Sequence, residues 1–210
     1  MNTCYIVCAL DSTLDFIPDK GDFVIGADRG YEILKKQQKR IDLAVGDFDS
    51  LGKAPNCENI IKFPTKKDDT DSALAIKHAV SLGYKKIVVY GAIGGCLDHT
   101  IANLAHIANY TEKGVDISFI DNEHITFAIH NSSVSFSNEA NGRISVFSFN
   151  DKSEGVFEKG LLYELDNYTL TNQIPLGVSN EFIGKKAEIS VRNGTLIIFT
   201  SKNNIKHLTK

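Results

Sequence analysis

The sequence of 210 residues contains no tryptophan and only four cysteines. These are Cys4, Cys8, Cys57 and Cys96, which form no Cys-x-x-Cys pair, and no histidine lies at zinc-finger spacing from them. This pattern argues against a structural zinc site and favours reduced thiols. The sequence also has neither a Gly-x-Gly-x-x-Gly motif nor a Walker P-loop, so the two most familiar glycine-rich nucleotide signatures are excluded.

Strong positive charge and long apolar runs are also missing. The net charge is -3, so the chain carries no basic field of the kind that binds nucleic acid. The first ten residues hold one short apolar run without a basic lead-in, which is unlike a signal peptide, and no stretch is long enough to span a bilayer. Hydrophobic residues make up 42% of the chain, as in ordinary soluble domains. We expect a cytoplasmic protein without nucleic-acid or membrane partners.

The first half of the chain alternates between strand and helix patterns. Such alternation predicts an α/β domain with a parallel sheet that helices cover on both faces. Apolar runs predict strands at residues 5–10, 23–27, 43–45, 60–63, 87–90 and 117–120. Helical patterns span residues 31–39, residues 70–82, and a third segment that Asp98 caps and Lys113-Gly114 ends.

The second half, from about residue 125, shows no convincing helix. Short β-rich runs recur at residues 125–129, 144–149, 161–163, 168–170, 188–191 and 195–200. Asn193-Gly194 between the last two runs predicts a β-hairpin, because an Asn-Gly pair suits a tight turn. Asn141-Gly142 and Glu154-Gly155 predict further turns. Closely spaced short strands with turn signals predict an all-β sandwich domain.

Acidic residues cluster in two loops of the first half. Asp47 and Asp49 directly follow the buried strand at 43–45, and a second group, ending at Asp71, precedes a helix. Taken separately, each group is explained by turn formation or helix capping. Taken together, crowded carboxylates favour a hard cation, and magnesium that carries substrate phosphates is its commonest form.

A glycine-rich turn follows the strand at 87–90. Residues 91–95 lead directly to Asp98 and His99 at a helix start, an arrangement that suits phosphate because free backbone N–H groups point outward there. A tight turn before a capped helix explains the same pattern. Asp28 follows the strand at 23–27, so it is expected at the same edge of the sheet, where ligands bind. Lys67 beside the acidic group either holds phosphate or is a solvated charge.

Five motifs resemble those of the thiamine pyrophosphokinases. They occur in the order found in that family and cover nearly the whole chain. They are Gly26-Ala27-Asp28, Gly46-Asp47-Phe48-Asp49-Ser50, Lys67-Asp68-Asp69-Thr70-Asp71, Gly94-Gly95-x-x-Asp98-His99 with Asn103, and Ser179-Asn180-Glu181-Phe182. The change of pattern predicts a domain boundary near residues 121–124. With that boundary, the resemblance implies an α/β catalytic, ATP-binding domain over residues 1–122 and an all-β thiamine-binding domain over residues 123–210. In one departure, Cys96 stands where the family commonly has an arginine after the glycine pair.

The resemblance also implies an activity and a set of site residues. Members transfer a pyrophosphoryl group from ATP, with Mg2+, to the hydroxyl of thiamine, which gives thiamine diphosphate and AMP. The metal set is then Asp47, Asp49 and Asp71, and the catalytic residues that orient or deprotonate the hydroxyl are Asp71 and Asp98. The nucleotide-binding residues are Asp28, Asp47, Lys67, Thr70, Gly94, Gly95 and His99. The thiamine-binding residues are Ser179, Asn180, whose amide would read the aminopyrimidine edge, and Phe182 as a ring neighbour.

By the same resemblance we expect a homodimer with its active site at the subunit interface. Two other functions remain open. One is a pyrophosphokinase that acts on another acceptor, such as a hydroxymethylpterin, against which the Ser179-Asn180 segment argues. The other is a nucleotide-binding sensor without catalysis, which Cys96 favours and the set of acidic residues opposes.

Overall fold

A computed structural model describes residues 2–48, 55–63 and 69–210. The chain divides into two compact units. Unit 1 comprises Met1–His106 and Gly114–Asn122, and unit 2 comprises Ile107–Lys113 and Glu123–Lys210. None of the helices in the described residues is long and apolar enough to cross a membrane.

Unit 1 contains six adjacent strands, and every neighbouring pair among them is parallel. The strand order is β4-β3-β2-β1-β5-β6. The strands are β1 Thr3–Val7, β2 Phe23–Ala27, β3 Leu43–Gly46, β4 Ile60–Lys62, β5 Lys86–Tyr90 and β6 Asp116–Ile120. The helices are α1 Gly30–Lys36, α2 Asp71–Ser81 and α3 Leu97–Glu112, and the last part of α3, from Ile107, is assigned to unit 2. All four residues of β3 are buried, as in a parallel sheet covered on both faces. The predicted α/β architecture is confirmed.

The clearest differences from the predicted boundaries in unit 1 are at the ends of β1 and α1 and at the start of α3. Strand β1 ends at Val7, because its register partner Tyr90 is the last residue of the neighbouring strand β5. Helix α1 ends at Lys36, before Gln38 adopts a φ of 53°. Helix α3 begins one residue before Asp98, so Asp98 lies in its first turn and does not cap it.

Unit 2 is built from antiparallel strands. Its strands are β7 His124–His130, β8 Ser133–Phe136, β9 Arg143–Ser148, β10 Lys152–Lys159, β11 Leu165–Thr171, β12 Asn180–Glu181, β13 Ala187–Asn193, β14 Thr195–Ser201 and β15 Leu208–Thr209. One set runs in the order β12-β9-β14-β7, and a five-stranded sheet runs β11-β10-β13-β8-β15. In β9 buried and partly exposed residues alternate, which is the pattern of a strand with one face in the core. The predicted all-β sandwich is confirmed.

Several local predictions for unit 2 are wrong. Asn193-Gly194 is not a hairpin turn, because β13 pairs with β10 and β8 whereas β14 pairs with β7 and β9. Glu154-Gly155 lies inside β10, where Gly155 has a φ of 65° and the register with β11 shifts, as in a β-bulge. The segment 161–163 forms one isolated bridge and no strand. A 3-10 helix, Lys202–His207, was not expected.

Gly194 carries the chain from one sheet to the other, and we expect Gly194→Ala to destabilise the protein strongly. Its φ is 129°, and an added Cβ would lie 2.9 Å from the Cα atom of Ser153, which is fully buried. Backbone strain and overpacking together should lower the free energy of unfolding by about 2–4 kcal/mol. Urea unfolding followed by circular dichroism measures this change.

Gly142→Ala is the matched control in the same unit. Gly142 also has a positive φ, of 77°, but no heavy atom of the described chain lies within 4 Å of an added Cβ. We therefore expect a loss of about 1 kcal/mol from backbone strain alone. Equal losses for the two variants would show that the contact with Ser153 does not restrict position 194.

Candidate active site

A cavity of about 330 Å³ lies in unit 1 where β1, β2 and β5 end and where α2 and α3 begin. Five residues predicted for the nucleotide or the metal line it: Asp28, Thr70, Asp71, Gly94 and His99. The carboxyl ends of parallel strands are the usual ligand-binding edge of such a sheet, and the volume is that of a small-molecule site. The structure therefore brings these separate sequence motifs together in one place.

Asp28 is held at the end of β2 by the neighbouring strand. Its φ is 49°, and its N–H donates to the Val45 carbonyl oxygen at 2.7 Å. A Cβ added to Gly46 would lie 3.1 Å from the Asp28 Cα atom, and Gly46 has a φ of 154°. Glycine at this position thus lets the end of β3, which continues into Asp47, lie close against Asp28.

Asp71 is the first residue of α2. The Ala73 N–H donates to the Thr70 hydroxyl oxygen at 3.2 Å, which makes Thr70 the N-cap of this helix. A carboxylate in the first turn is stabilised by the positive end of the helix dipole. Burial, with the Asp71 charge as a smaller cause, raises the pKa of the neighbouring Cys8 to about 12, so this cavity-lining thiol is neutral at physiological pH.

The loop after β5 forms another wall of the cavity. Gly94, Cys96 and His99 belong to the lining, and Cys96 is exposed. The Gly94 N–H donates to the Thr100 hydroxyl oxygen at 3.1 Å, so this amide already has a partner in α3. Asp98 sits in the first turn of α3, where its Oδ1 atom accepts from the His99 N–H at 2.9 Å.

The remaining predicted residues of unit 1 lie elsewhere or outside the described chain. Asp47, Gly95 and Asp98 are close in sequence to lining residues but do not belong to the lining themselves. Asp49 and Lys67 lie outside the described residues. Cys8, Leu10 and Ser72 line the cavity without having been predicted, because their burial at this edge depends on how distant strands meet.

The cavity offers carboxylates that suit a metal bound jointly by protein and substrate phosphates. Within the described residues, no group of three or more His, Cys, Asp or Glu side chains is arranged to hold a metal ion. Asp28 and Asp71 nevertheless place two carboxylates on one cavity. Magnesium is commonly bound through one or two carboxylates together with substrate phosphates, and this donor set suits it.

The three residues of unit 2 that were predicted to bind thiamine have different environments. Ser179 is exposed, has a φ of 57°, and donates its N–H to the Ser145 hydroxyl oxygen at 3.0 Å. Phe182 is buried and packs edge-on against Phe136 with ring centroids 5.0 Å apart. Asn180 is only 3% exposed. Ser179 is thus the one of the three that solvent reaches readily.

The Asn180 amide uses its hydrogen-bonding groups inside unit 2. Its Nδ2 atom donates to the Tyr163 carbonyl oxygen at 2.6 Å and to Glu158 Oε2 at 2.9 Å. Its Oδ1 atom accepts from the N–H groups of Tyr163 and Glu181. This geometry conflicts with the expectation that the amide reads the aminopyrimidine edge, because both donors and both lone pairs already have partners.

Glu158 is a buried acid that sequence patterning did not reveal. It is 1% exposed, and its Oε1 atom has no hydrogen-bond partner among the described residues. Burial raises the pKa of this carboxyl from 4.5 to about 7, although the hydrogen bond from Asn180 acts in the opposite direction. In the sequence Glu158 stands between Phe157 and Lys159 in a charged stretch that gave no strand signal.

Comparison with known proteins agrees with these two units. The family model described as "Thiamin pyrophosphokinase, catalytic domain" matches residues 16–119, and "Thiamin pyrophosphokinase, vitamin B1 binding domain" matches residues 139–196. Thiamine pyrophosphokinase of Bacillus subtilis (strain 168) is 26% identical over 190 residues, which cover 87% of this chain and 89% of that protein. Thiamin pyrophosphokinase 1 of Caenorhabditis elegans is 21% identical over 221 residues, with 95% and 90% covered.

Solved structures show the same architecture. The crystal structure of the Bacillus subtilis thiamine pyrophosphokinase superposes with a TM-score of 0.81 at 26% identity and covers 95% of this chain and 98% of its own. A thiamin pyrophosphokinase family protein from Enterococcus faecalis gives a TM-score of 0.80 at 26% identity and the same coverage. The cavity residues from Ala27 to Asn103 fall within the match to the catalytic-domain model, whereas Cys8, Ala9 and Leu10 precede it, and Ser179 falls within the match to the B1-binding model. The chain therefore belongs to the thiamin pyrophosphokinase family, which is a family of transferase enzymes.

Proposed function

We propose that this protein transfers the pyrophosphoryl group of ATP to the hydroxyl of thiamine in a magnesium-dependent reaction. The products are thiamine diphosphate and AMP. The observation that carries the proposal is the cavity of unit 1, which combines the carboxylates of Asp28 and Asp71 with a helix N-terminus and a glycine loop. These are the groups that a magnesium-bound polyphosphate requires. Thiamine is proposed as the acceptor because the chain belongs to the thiamin pyrophosphokinase family.

Phosphoryl transfer asks a protein mainly for positioning and for neutralisation of charge. Asp28 and Asp71, together with Asp47 and Asp49, are the residues that would hold Mg2+, which when bound offsets the negative charge of the ATP phosphates. His99 and the Gly94-Gly95 loop would orient the nucleotide. Each of these roles requires a fixed backbone, which the sheet edge and the two helix starts provide.

The acceptor hydroxyl is a poor nucleophile while it is protonated. In the proposed reaction its oxygen forms a bond to the β-phosphorus of ATP, the bond from that phosphorus to the oxygen bridging the α- and β-phosphates breaks, and AMP leaves. The hydroxyl proton passes to a carboxylate, for which Asp71 and Asp98 are the candidates. Asp71 has the better position, because it lines the cavity.

Thiamine binding is assigned to the Ser179 segment of unit 2. Ser179 is exposed, while Asn180 and Phe182 are buried. We infer that Ser179 contacts the substrate and that Asn180 and Phe182 hold the segment in place. We also propose that the protein forms a homodimer. Sedimentation of the protein at assay concentration tests this.

Product identification tests the function directly. The purified protein is incubated with ATP, magnesium and thiamine, and the products are separated by chromatography. Thiamine diphosphate and AMP in equal amounts are expected. AMP without thiamine diphosphate would point to another acceptor, such as a hydroxymethylpterin, and ATP binding without either product would support a nucleotide-binding sensor.

Cys96 gives a separate test of where the nucleotide binds. It is exposed in the cavity wall, whereas burial raises the pKa of Cys4 and of Cys8 to about 12 and Cys57 is partly buried. We expect iodoacetamide to alkylate Cys96 first, because the thiolate is the reactive form and exposure gives access to it. The adduct should weaken ATP binding about tenfold or more, which corresponds to about 1.4 kcal/mol.

Mass spectrometry locates the adduct, and calorimetry measures ATP affinity before and after the reaction. Magnesium-ATP should slow the alkylation, and Cys96→Ser should remove the sensitivity to iodoacetamide. Full ATP affinity in protein that is alkylated at Cys96 would place the nucleotide away from this wall of the cavity.

A further inference from the structure

A chain of buried hydrogen bonds connects two walls of the cavity in unit 1. The Ser72 hydroxyl donates to Asn103 Oδ1 at 3.0 Å, and Asn103 Nδ2 donates to the Ala92 carbonyl oxygen at 2.6 Å. The Thr70 and Ser72 hydroxyl oxygens lie 2.9 Å apart. Ser72 is 9% exposed and Asn103 is 4% exposed, so solvent does not replace these bonds easily. The chain of bonds runs from the start of α2, through α3, to the loop after β5.

The chemistry of the partners fixes the direction of every bond in this chain. The Ala92 carbonyl oxygen only accepts, so the Asn103 Nδ2 atom must face it and the Oδ1 atom must face Ser72. An amide oxygen also only accepts, so the single Ser72 hydroxyl proton is used there. The contact between Thr70 and Ser72 therefore requires the Thr70 proton, and the order of donation is Thr70, Ser72, Asn103, Ala92.

This order restricts what Thr70 offers to a ligand. Its proton is directed to Ser72, and its oxygen accepts from the Ala73 N–H at the helix cap. A phosphate oxygen is an acceptor as well, so Thr70 has no second proton to donate to it. Thr70 thus contributes mainly to the position of the α2 N-terminus, where Asp71 begins the helix.

We propose that Asn103 is a positioning residue that fixes the α2 N-terminus, with Asp71, relative to the loop of residues 91–96 that forms the other phosphate-facing wall. The inference rests on the proposed function, because it assigns these two walls to the ATP phosphates. Asn103 itself acts through Ser72 and the Ala92 backbone, each of which also lines the cavity. Its two side-chain hydrogen bonds therefore restrain the distance between the two walls.

Asn103→Leu is the main test. The substitution is similar in size but leaves the Ser72 hydroxyl and the Ala92 carbonyl oxygen without their partner. A misplacement of about 1 Å at a reacting group lowers turnover about 10²-fold, so kcat should fall by about that factor. The KM for ATP should change less than about threefold, because alignment matters most in the transition state.

Ser72→Ala is the second variant, and it removes only the middle of the chain of bonds. The bond from Asn103 to Ala92 remains, so we expect a smaller loss of kcat, of roughly tenfold. If Asn103→Leu does not fold, the kcat of Ser72→Ala tests the proposal instead. A kcat equal to that of wild type would overturn it.

Ile117→Val is the control for a purely structural effect. Ile117 is fully buried in β6 and does not line the cavity. This variant should lower the melting temperature while leaving kcat per folded molecule unchanged. If Asn103→Leu and Ser72→Ala behave in the same way, Asn103 contributes only to stability and the proposal is overturned.

Hydrogen exchange provides a readout that does not depend on activity. Backbone amides of residues 70–74 and 91–96 should exchange faster together in Asn103→Leu and Ser72→Ala, but not in Ile117→Val. Unchanged exchange in both segments would overturn the proposed connection. A wild-type protein that makes no thiamine diphosphate would contradict the proposed function instead, and the exchange measurement would still decide whether Asn103 couples the two walls.

Discussion

Asp71→Asn should abolish turnover of ATP and thiamine while leaving the fold intact. Asp71 begins α2 and lines the cavity, where it is proposed both to hold the magnesium of ATP and to take the proton of the acceptor hydroxyl. Loss of a general base alone lowers turnover by about 10²–10⁴-fold, and loss of a metal ligand adds to this. Asparagine keeps the size of the side chain, and loss of the charge at the helix N-terminus lowers stability by about 0.5 kcal/mol.

The rate of AMP formation at saturating ATP, magnesium and thiamine measures the effect, and circular dichroism checks the fold. Asp69→Asn is the matched control two residues earlier in the same acidic stretch. Asp69 pairs with Lys77 on the surface and does not line the cavity. An exposed pair of this kind contributes about 0–1 kcal/mol, so turnover should stay within about twofold of wild type. Equal losses in the two variants would remove the special role assigned to Asp71.

Glu158→Gln should make the protein more stable than wild type at pH 8, and the gain should shrink as the pH falls and vanish below about pH 4. Burial raises the pKa of this carboxyl to about 7 in the folded protein, while it stays near 4.5 in the unfolded chain. Between these values the unfolded chain releases the proton and the folded protein retains it. Stability of the wild type therefore falls as the pH rises through this window, by about 1.4 kcal/mol for each pH unit.

The free energy of unfolding of Glu158→Gln is expected to exceed that of wild type by about 3 kcal/mol at pH 8, where Glu158 of the wild type is ionised in both the folded and the unfolded state. Glutamine matches the neutral acid in shape and can still accept from the Asn180 amide, so little should change below about pH 4, where the wild-type carboxyl is protonated in both states. Urea unfolding at several pH values measures the difference. A difference that does not vary with pH would show that Glu158 ionises as an exposed acid does.

Glu154→Gln is the control on the same strand. Glu154 pairs with Lys152 at the surface, and its pKa is lowered by the hydrogen bond that Lys152 donates. It is therefore ionised in both states over the whole range from pH 5 to pH 8. The difference in free energy of unfolding between this variant and wild type should stay constant across that range. A difference that changes with pH would mean that another group titrates.

The elements that the sequence predicted well are those set by neighbouring residues. Helix α2 begins after the Thr70 cap and its pattern stops at Gly83, because both signals act within one helical turn. The strands of unit 1 were found because a parallel sheet buried on both faces needs continuous apolar runs. In unit 2, β8 and β10 were missed. Strand β10, Lys152–Lys159, contains charged residues and a bulge glycine in place of clear alternation.

The candidate site was predicted in its position but not in its internal contacts. Asp28 and Asp71 were expected together because strands that run parallel end at one edge of the sheet. The hydrogen bonds of Asn103 to Ser72 and Ala92 were not expected, because they join residues from three separate segments. The same is true of Asn180, whose amide is used by Glu158 and Tyr163 inside unit 2.

By itself the sequence determined the fold class, the order of the motifs and the family, since these depend on residue type, spacing and local hydrogen bonding. Only the tertiary structure decided that Asn193-Gly194 passes between two sheets and that Glu158 is buried beside Asn180. Strand pairing and burial depend on residues far apart in the chain, and the same short sequence adopts either outcome according to its partners. Hydrophobic burial and the need to pair buried polar groups make that choice, and both act only when the distant segments meet.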